Sequence, residues 1–278
     1  MTNIINGTPG NDLLEGTPGD DQINGNGGDD TLKGFAGNDT INGGSGSDDI
    51  FGGDGDDQIN GNGGNDTLRG GAGNNQINGS SDSEILTVFG EFGNNQLNGN
   101  GGNNEVIEVL DGGNGDDVIN GGSQFDKIAG YDGDDLLHGN GGNDQIQGFG
   151  GNDTLIGSSG NESFFGGNSD DIAFGNTGDG DDIIYGNGGD DSISSGDGLD
   201  QVFLGTGAAR VLLTTGDGYD KIFNFDLNQA TFGLGSGLDF GSLEFSDTSQ
   251  GVEIFGNGDL LAVVVGVQAS QIDNPDFF

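Results

Sequence analysis

The chain has no cysteine and no tryptophan, one methionine, one histidine, three prolines and five basic residues in 278. Without cysteine there is neither a disulfide framework nor a thiolate metal site. Five Lys and Arg against 47 Asp and Glu leave a net charge of −42. No basic face can form for nucleic acid or for an anionic membrane surface. The longest apolar run, LLAVVV from Leu260, is too short for a membrane span, which needs about 18 residues. The opening MTNIINGTPGND shows no basic stretch followed by an apolar one, so no Sec-type signal peptide is expected. Catalytic signatures are also missing: there is no H-E-x-x-H and no G-x-S-x-G. GLGSG at 233–237 lacks the third glycine and the following helix of a nucleotide loop, and reads as a plain loop. No enzymatic activity is expected.

What the chain does have is glycine, 64 residues of it, with only 29% hydrophobic residues. Composition alone describes a chain too charged and too poor in apolar side chains to collapse. A large requirement for cations would reverse that expectation.

The acids are not scattered. GGSGSDDIF (43–51) is followed by GGDGDDQIN (52–60), and the period of nine continues through 23 repeats between Gly7 and Phe223. Counting by nines places short insertions at 88–89, 108–111, 175–176 and 213–214. The eighth place is Ile, Leu, Val or Phe in nearly every repeat; Ala173 is the exception. The sixth place is Asp at 12, 21, 30, 39, 48, 57, 66, 117, 126, 135, 144, 153, 171, 182, 191, 200 and 220. It is Asn at 75, 95 and 104, Glu at 84 and 162, and Ala at 209.

This pattern predicts a three-residue strand over places seven to nine, with place eight alone pointing inward. Places one to six turn the chain round, using glycines for positive φ. Two repeats make one coil, and sixth-place aspartates two repeats apart stack about 4.8 Å apart. Such carboxylates repel one another unless a cation lies between them. Calcium, with six to eight oxygen ligands in tolerant geometry, suits carboxylates and turn carbonyls. The expected fold is all-β: a parallel β-roll over 1–223, weakened at 74–111, with an antiparallel β cap over 224–278. In the cap, LEFS, GVEIF and LLAVVVGV read as short strands, the last two joined by GNGD at 256–259.

The motif GGxGxDxUx, here GGSGSDDIF, GGDGDDQIN, GNGGNDTLR and GNGGDDSIS, resembles the nonapeptide of the RTX, or hemolysin-type, calcium-binding repeat family. The resemblance covers about four fifths of the chain. It implies roughly a dozen calcium ions, each held between turns two repeats apart by both sixth-place carboxylates and by carbonyls of the first four places. The implied pairs are Asp12 with Asp30, Asp21 with Asp39, Asp30 with Asp48, Asp39 with Asp57 and Asp48 with Asp66. In the second cluster they are Asp117 with Asp135, Asp126 with Asp144, Asp135 with Asp153, Asp153 with Asp171, Asp171 with Asp191, Asp182 with Asp200 and Asp200 with Asp220. Glu162 completes the candidate ligands. It also implies a secreted, extracellular or cell-surface protein exported by a type I route, with an uncleaved signal in 224–278. The ending Asp276-Phe277-Phe278 is similar to the tails of some exported relatives.

Around Asn75–Asn104 the carboxylates give way, and few ions are expected there. Stacking of the asparagines by hydrogen bonds is the alternative. His138 falls at a ninth place and is expected to face solvent. Ninth places are mostly polar in the first half (Asn24, Lys33, Asn42, Asn60, Arg69, Asn78) and apolar in the second. Phe165, Tyr185, Phe203 and Phe223 recur on alternate repeats, which predicts an aromatic ladder on one outer face. The cap is expected to cover it; a partner or a second copy is the alternative. A monomer is expected, and a cell-surface or matrix polysaccharide or protein is the expected partner class. A calcium-dependent ice-binding or adhesive roll is a rival reading. It wants a flat row of Thr and Asn, and the third place reads Pro, Pro, Gly, Ala, Ser, Asp instead. A detached accessory tail of a secreted enzyme is the other rival.

Overall fold

The computed structural model describes residues 2–79, 87–99, 108–175 and 180–278. Its contacts fall into two compact units, Met1–Gln145 and Ile146–Phe278. Both are all-β and built as a parallel solenoid.

In the N-terminal unit, alternate repeats feed two parallel sheets. One runs Asn3–Asn6, Asp21–Gly27, Thr40–Ser45, Gln58–Gly63, Gln76–Asn78, Gln96–Asn98, Val118–Asn120, Leu136–Gly141. The other runs Leu13–Glu15, Thr31–Ala36, Asp49–Asp54, Thr67–Ala72, Thr87–Phe92, Glu108–Asn114, Asp126–Asp132. Register keeps every eighth place on its neighbour: Ile23, Ile41, Ile59, Ile77, Leu97 and Ile119 form one column. Leu32, Ile50, Leu68, Val88 and Leu110 form the facing one. All of these are fully buried. The core is therefore one branched or γ-branched side chain per repeat, each burial stabilising by about 1.5–3 kcal/mol.

Many strands are longer than expected. Thr40–Ser45 and Thr67–Ala72 span six residues, because pairing continues past the ninth place into the next repeat. The first-place glycine thereby points inward beside the eighth-place side chain, as at Gly43 and Gly70. Two insertions also lie elsewhere than counting by nines suggests. Val88 and Leu110 occupy the inward column, so 88–89 and 108–111 are strand residues. The extra residues fall between Gly79 and Thr87 and between Gly99 and Glu108. Glu108, not Asn104, pairs with Asp126. Glu84 and Asn104 lie outside the described residues.

In the C-terminal unit two inward columns of the same kind are Leu155, Ala173, Ile193, Val211, Phe232 and Phe164, Ile184, Val202, Ile222, Val264. Asp259–Val265 joins Asp220–Phe223 in parallel, and Gly251–Gly256 and Leu243–Asp247 then add antiparallel. Asn257 and Gly258, with φ of 56° and 93°, make the hairpin turn between the last two strands in sequence. The end of the solenoid is filled by aromatics. Phe232 stacks on Phe225 at 4.7 Å and on Phe278 at 5.0 Å, and Phe278 also meets Phe240 and Phe245. The expected tail Phe277-Phe278 is thus part of this cluster.

The aromatic ladder is present. Phe165, Tyr185, Phe203 and Phe223 stack at 5.0, 4.6 and 4.5 Å with nearly parallel planes. The final segment extends the ladder's sheet at its edge, through Ile222 and Val264, instead of lying over its face. The rings shield one another and stay half-buried.

Leu68→Ala, at the centre of a fully buried column, should cost about 2–5 kcal/mol, read from denaturant unfolding in calcium. A cost below about 1 kcal/mol would mean that the eighth-place columns are not the core.

Candidate metal centre

The turns are shaped by glycine in two ways. Fourth-place glycines such as Gly46, at φ 119°, take the left-handed conformation and lie against the carbonyl of the turn 18 residues earlier, where a Cβ would collide. First-place glycines leave an inward space at the strand end. Around that space two oxygens converge. A Cβ on Gly166 would lie 2.5 Å from Asp171 Oδ2 and 2.8 Å from the Gly186 carbonyl. On Gly16 it would lie 2.6 Å from the Gly34 carbonyl and 2.8 Å from Asp21 Oδ2. The same cradle of sixth-place carboxylate and first-place carbonyl from two repeats later recurs for Asp30 with Gly43, Asp39 with Gly52, Asp48 with Gly61, Asp57 with Gly70 and Asp117 with Gly130.

Each carboxylate is held by its other oxygen. The backbone N–H of Asp21 donates to Asp39 Oδ1 at 2.7 Å, and that of Asp39 to Asp57 Oδ1 at 2.8 Å. Asp30 to Asp48, Asp117 to Asp135, Asp126 to Asp144, Asp153 to Asp171 and Asp182 to Asp200 follow at 2.8–2.9 Å. The ladder fixes Oδ1 and aims Oδ2 into the cradle. There Oδ2 of Asp30, Asp39, Asp48, Asp57, Asp117, Asp144, Asp171, Asp191 and Asp200 is buried without a hydrogen-bond donor. Burying a polar atom that way is costly, and burying a charge more so.

The carboxyls respond electrostatically. Burial pushes Asp48, Asp135, Asp144 and Asp191 up from 3.8 to about 6, and Asp57, Asp117 and Asp171 to about 7. Neighbouring carboxylates raise most of them further, and the accepted backbone N–H offsets only part of the shift. Burial also pushes Asp200 and Asp220 up, and the neighbouring Asp200 charge raises Asp220 further. A divalent cation would neutralise the columns.

The donor set fits calcium. Among the described residues no three acidic or histidine side chains converge, and the oxygens beside each carboxylate in the cradles are turn carbonyls. Carboxylate with carbonyl oxygen is the hard, all-oxygen set that calcium takes. His138, paired in register with Asn120 at a ninth place, is half-buried on an outer face and contributes nothing to the cradles.

Comparison with known families gives the same answer. The description RTX calcium-binding nonapeptide repeat (4 copies) matches in overlapping stretches that together cover 2–107 and 111–209. The chain belongs to this family. RTX repeats bind calcium, and calcium is thereby a partner of this chain. A search of curated proteins finds no match.

Of the eighteen candidate ligands, all but Asp12 are buried in these columns, Glu162 among them. The first coil differs from the rest. Thr8 and Thr17 donate both N–H and hydroxyl to Asp12 Oδ2 and Asp21 Oδ2, at 2.5 and 2.9 Å in each case. Burial would raise Asp21, but the bonds from Thr17 and Asn3 together bring it below the usual carboxylate value. In the middle, the asparagines do stack. Asp57 N–H donates to Asn75 Oδ1, Asn75 N–H to Asn95 Oδ1 and Asn95 N–H to Asp117 Oδ1. Their amide nitrogens stand where the carboxylate oxygens stand elsewhere, 2.6 and 2.7 Å from a Cβ on Gly70 and Gly90, and also donate within their own turns, Asn75 Nδ2 to the Gly73 carbonyl at 3.2 Å and Asn95 Nδ2 to the Gly93 carbonyl at 2.8 Å. An amide N–H thus satisfies carbonyls that a carboxylate would face with a cation.

The sequence pattern alone does not disclose a second ladder. Fifth-place Asp and Asn accept the N–H of the fifth-place residue in the next turn of the same edge, as Asp29 N–H to Asn11 Oδ1 at 2.9 Å and Ser47 N–H to Asp29 Oδ1 at 2.8 Å. It runs opposite in polarity to the sixth-place ladder. The frequent Asn and Asp at the fifth place is its signal.

Asn75→Asp with Asn95→Asp should raise calcium stoichiometry, counted by native mass spectrometry, and deepen the dependence of folding on calcium. Unchanged stoichiometry would show that the cradle alone does not make a site. The pKa shifts give a second expectation. Folded, metal-free Asp carboxyls bind protons more tightly than unfolded ones, so the stability of stripped protein falls as pH rises from about 4 to 7. Calcium-stripped protein should therefore show β structure and a melting transition at pH 5 that it lacks at pH 8. In millimolar calcium the protein should instead melt higher at pH 8, because protons compete with the metal. A stripped melting temperature that rises with pH would contradict the burial of ionised carboxylates.

Proposed function

We propose that the chain is a non-catalytic, secreted module that folds when it meets extracellular calcium and serves as a structural and interaction element at a surface or in a matrix. The observation that carries this is the set of nine buried, donorless carboxylate oxygens in a chain of charge −42. In this reading the sixth-place carboxylates from Asp12 to Asp220, with first-place carbonyls, hold roughly a dozen ions. The densest runs are Asp12–Asp66 and Asp117–Asp220, with amide rungs at Asn75 and Asn95 between them. Binding to the folded state alone stabilises by about 2.7 kcal/mol per site at a hundredfold excess of ligand. A dozen such terms exceed the whole stability of an ordinary domain. Export unfolded from a compartment poor in calcium, by a type I route directed by 224–278, is consistent with that dependence.

Circular dichroism with and without chelator tests the reading. Stripped protein at pH 7.5 should be coil, and millimolar calcium should restore β structure cooperatively. A fully folded roll in excess chelator would overturn it.

A further inference from the structure

One face of the N-terminal unit carries no acid and no Lys or Arg among the described residues. In the sheet that begins with Asn3–Asn6, the ninth place is asparagine on seven adjacent strands, from Asn6 to Asn120. Six side-chain hydrogen bonds of 2.8–3.1 Å join them, each Nδ2 donating to the Oδ1 of the strand before. At the seventh place beside them, Gln58 Nε2 donates to Gln76 Oε1 at 3.2 Å and Gln76 to Gln96 at 3.3 Å. These three glutamines are exposed. The unit's three cations, Lys33, Arg69 and Lys127, all stand on strands of the opposite sheet. There Lys33 pairs with Glu15, and Arg69 pairs with Asp49 and lies over Phe51 and Phe89.

Asparagine is depleted in strands, so a run of seven is not a folding preference. A ladder of identical amides recovers part of that cost by stacking. Each amide spends one N–H and one lone pair along the ladder and keeps one of each for the solvent side. The result is a regular array of paired donors and acceptors, repeated about every 4.8 Å.

Charge and area narrow the occupant. Polyanions are repelled, since a dozen divalent ions would bring the chain from −42 only to about −18, and polycations find no carboxylate on this face. Seven strands cover about 30 Å by about 10 Å, well below the ~800 Å² per partner of a stable protein interface, which argues against a second copy. A narrow, extended ligand with hydroxyls along its length fits both the dimensions and the amide chemistry. We propose that this amide face binds a neutral, extended polysaccharide. The proposal rests on the reading of the chain as a calcium-folded contact module and names its partner class.

The test is affinity electrophoresis of the full chain in calcium through gels containing neutral glycans (β-1,4-glucan, xylan, mannan, dextran) or acidic ones (alginate, hyaluronate). Circular dichroism of every sample reports folding separately, so loss of the calcium fold is distinguished from loss of binding. Retardation by at least one neutral glycan and by no acidic one is expected. The triple variant Gln58→Ala/Gln76→Ala/Gln96→Ala should weaken it about tenfold, the worth of one to two hydrogen bonds. Thr31→Ala/Thr67→Ala, on the opposite sheet, should leave it unchanged. Should the triple variant fold poorly, Gln76→Glu, one charge at one exposed site, should weaken binding in the same direction. Folded protein that ignores all the neutral glycans overturns the proposal. So does retardation that the face variants do not alter, or sedimentation of a dimer that those variants dissolve.

Discussion

Everything in this fold depends on carboxylates buried two repeats apart with one oxygen left unsatisfied. Repulsion and desolvation between them oppose folding at neutral pH, as their raised pKa values record. A hard cation between them would remove that repulsion. The hydrophobic core cannot substitute, because each repeat contributes only one sizeable inward side chain. The glycines follow from the same constraint. A Cβ at the first place would fill the space where carboxylate and carbonyl meet, so the residue that costs most entropy is also the one the site requires.

Hydrogen bonds divide the work on each edge. The sixth-place ladder points each acceptor back to the preceding turn and is buried; the fifth-place ladder points the other way and is exposed. Together they pin each turn from both sides, which specifies register in strands whose hydrophobic signal is short. Where Asn75 and Asn95 interrupt the carboxylates, the geometry persists because an amide supplies its own donor.

Much of this is legible in the sequence. A period of nine with a fixed apolar place dictates parallel coils, and the inward columns from Ile23 to Ile222 lie where counting puts them. Counting fails where two apolar residues compete for one place. Leu86 suits the period, but Val88 takes the column, since the strand Thr87–Phe92 pairs along its whole length with Thr67–Ala72. Strand lengths exceed the pattern because an inward glycine leaves no mark in a hydrophobicity profile. The aromatic ladder is visible as recurrence, but its cover is not. Four rings at stacking distance already protect one another, so the cap is free to extend the sheet. The fifth-place ladder is hidden because an exposed Asn or Asp looks like ordinary surface until its partner is known.

The coil length sets how the molecule meets force. Each full coil of 18 residues advances the stack by about 4.8 Å, yet peeled from the end it yields about 60 Å of extended chain. Unspooling must break the rungs that hold that coil. Pulled at its ends, such a stack pays out in discrete steps, each more than ten times the thickness of the layer it removes.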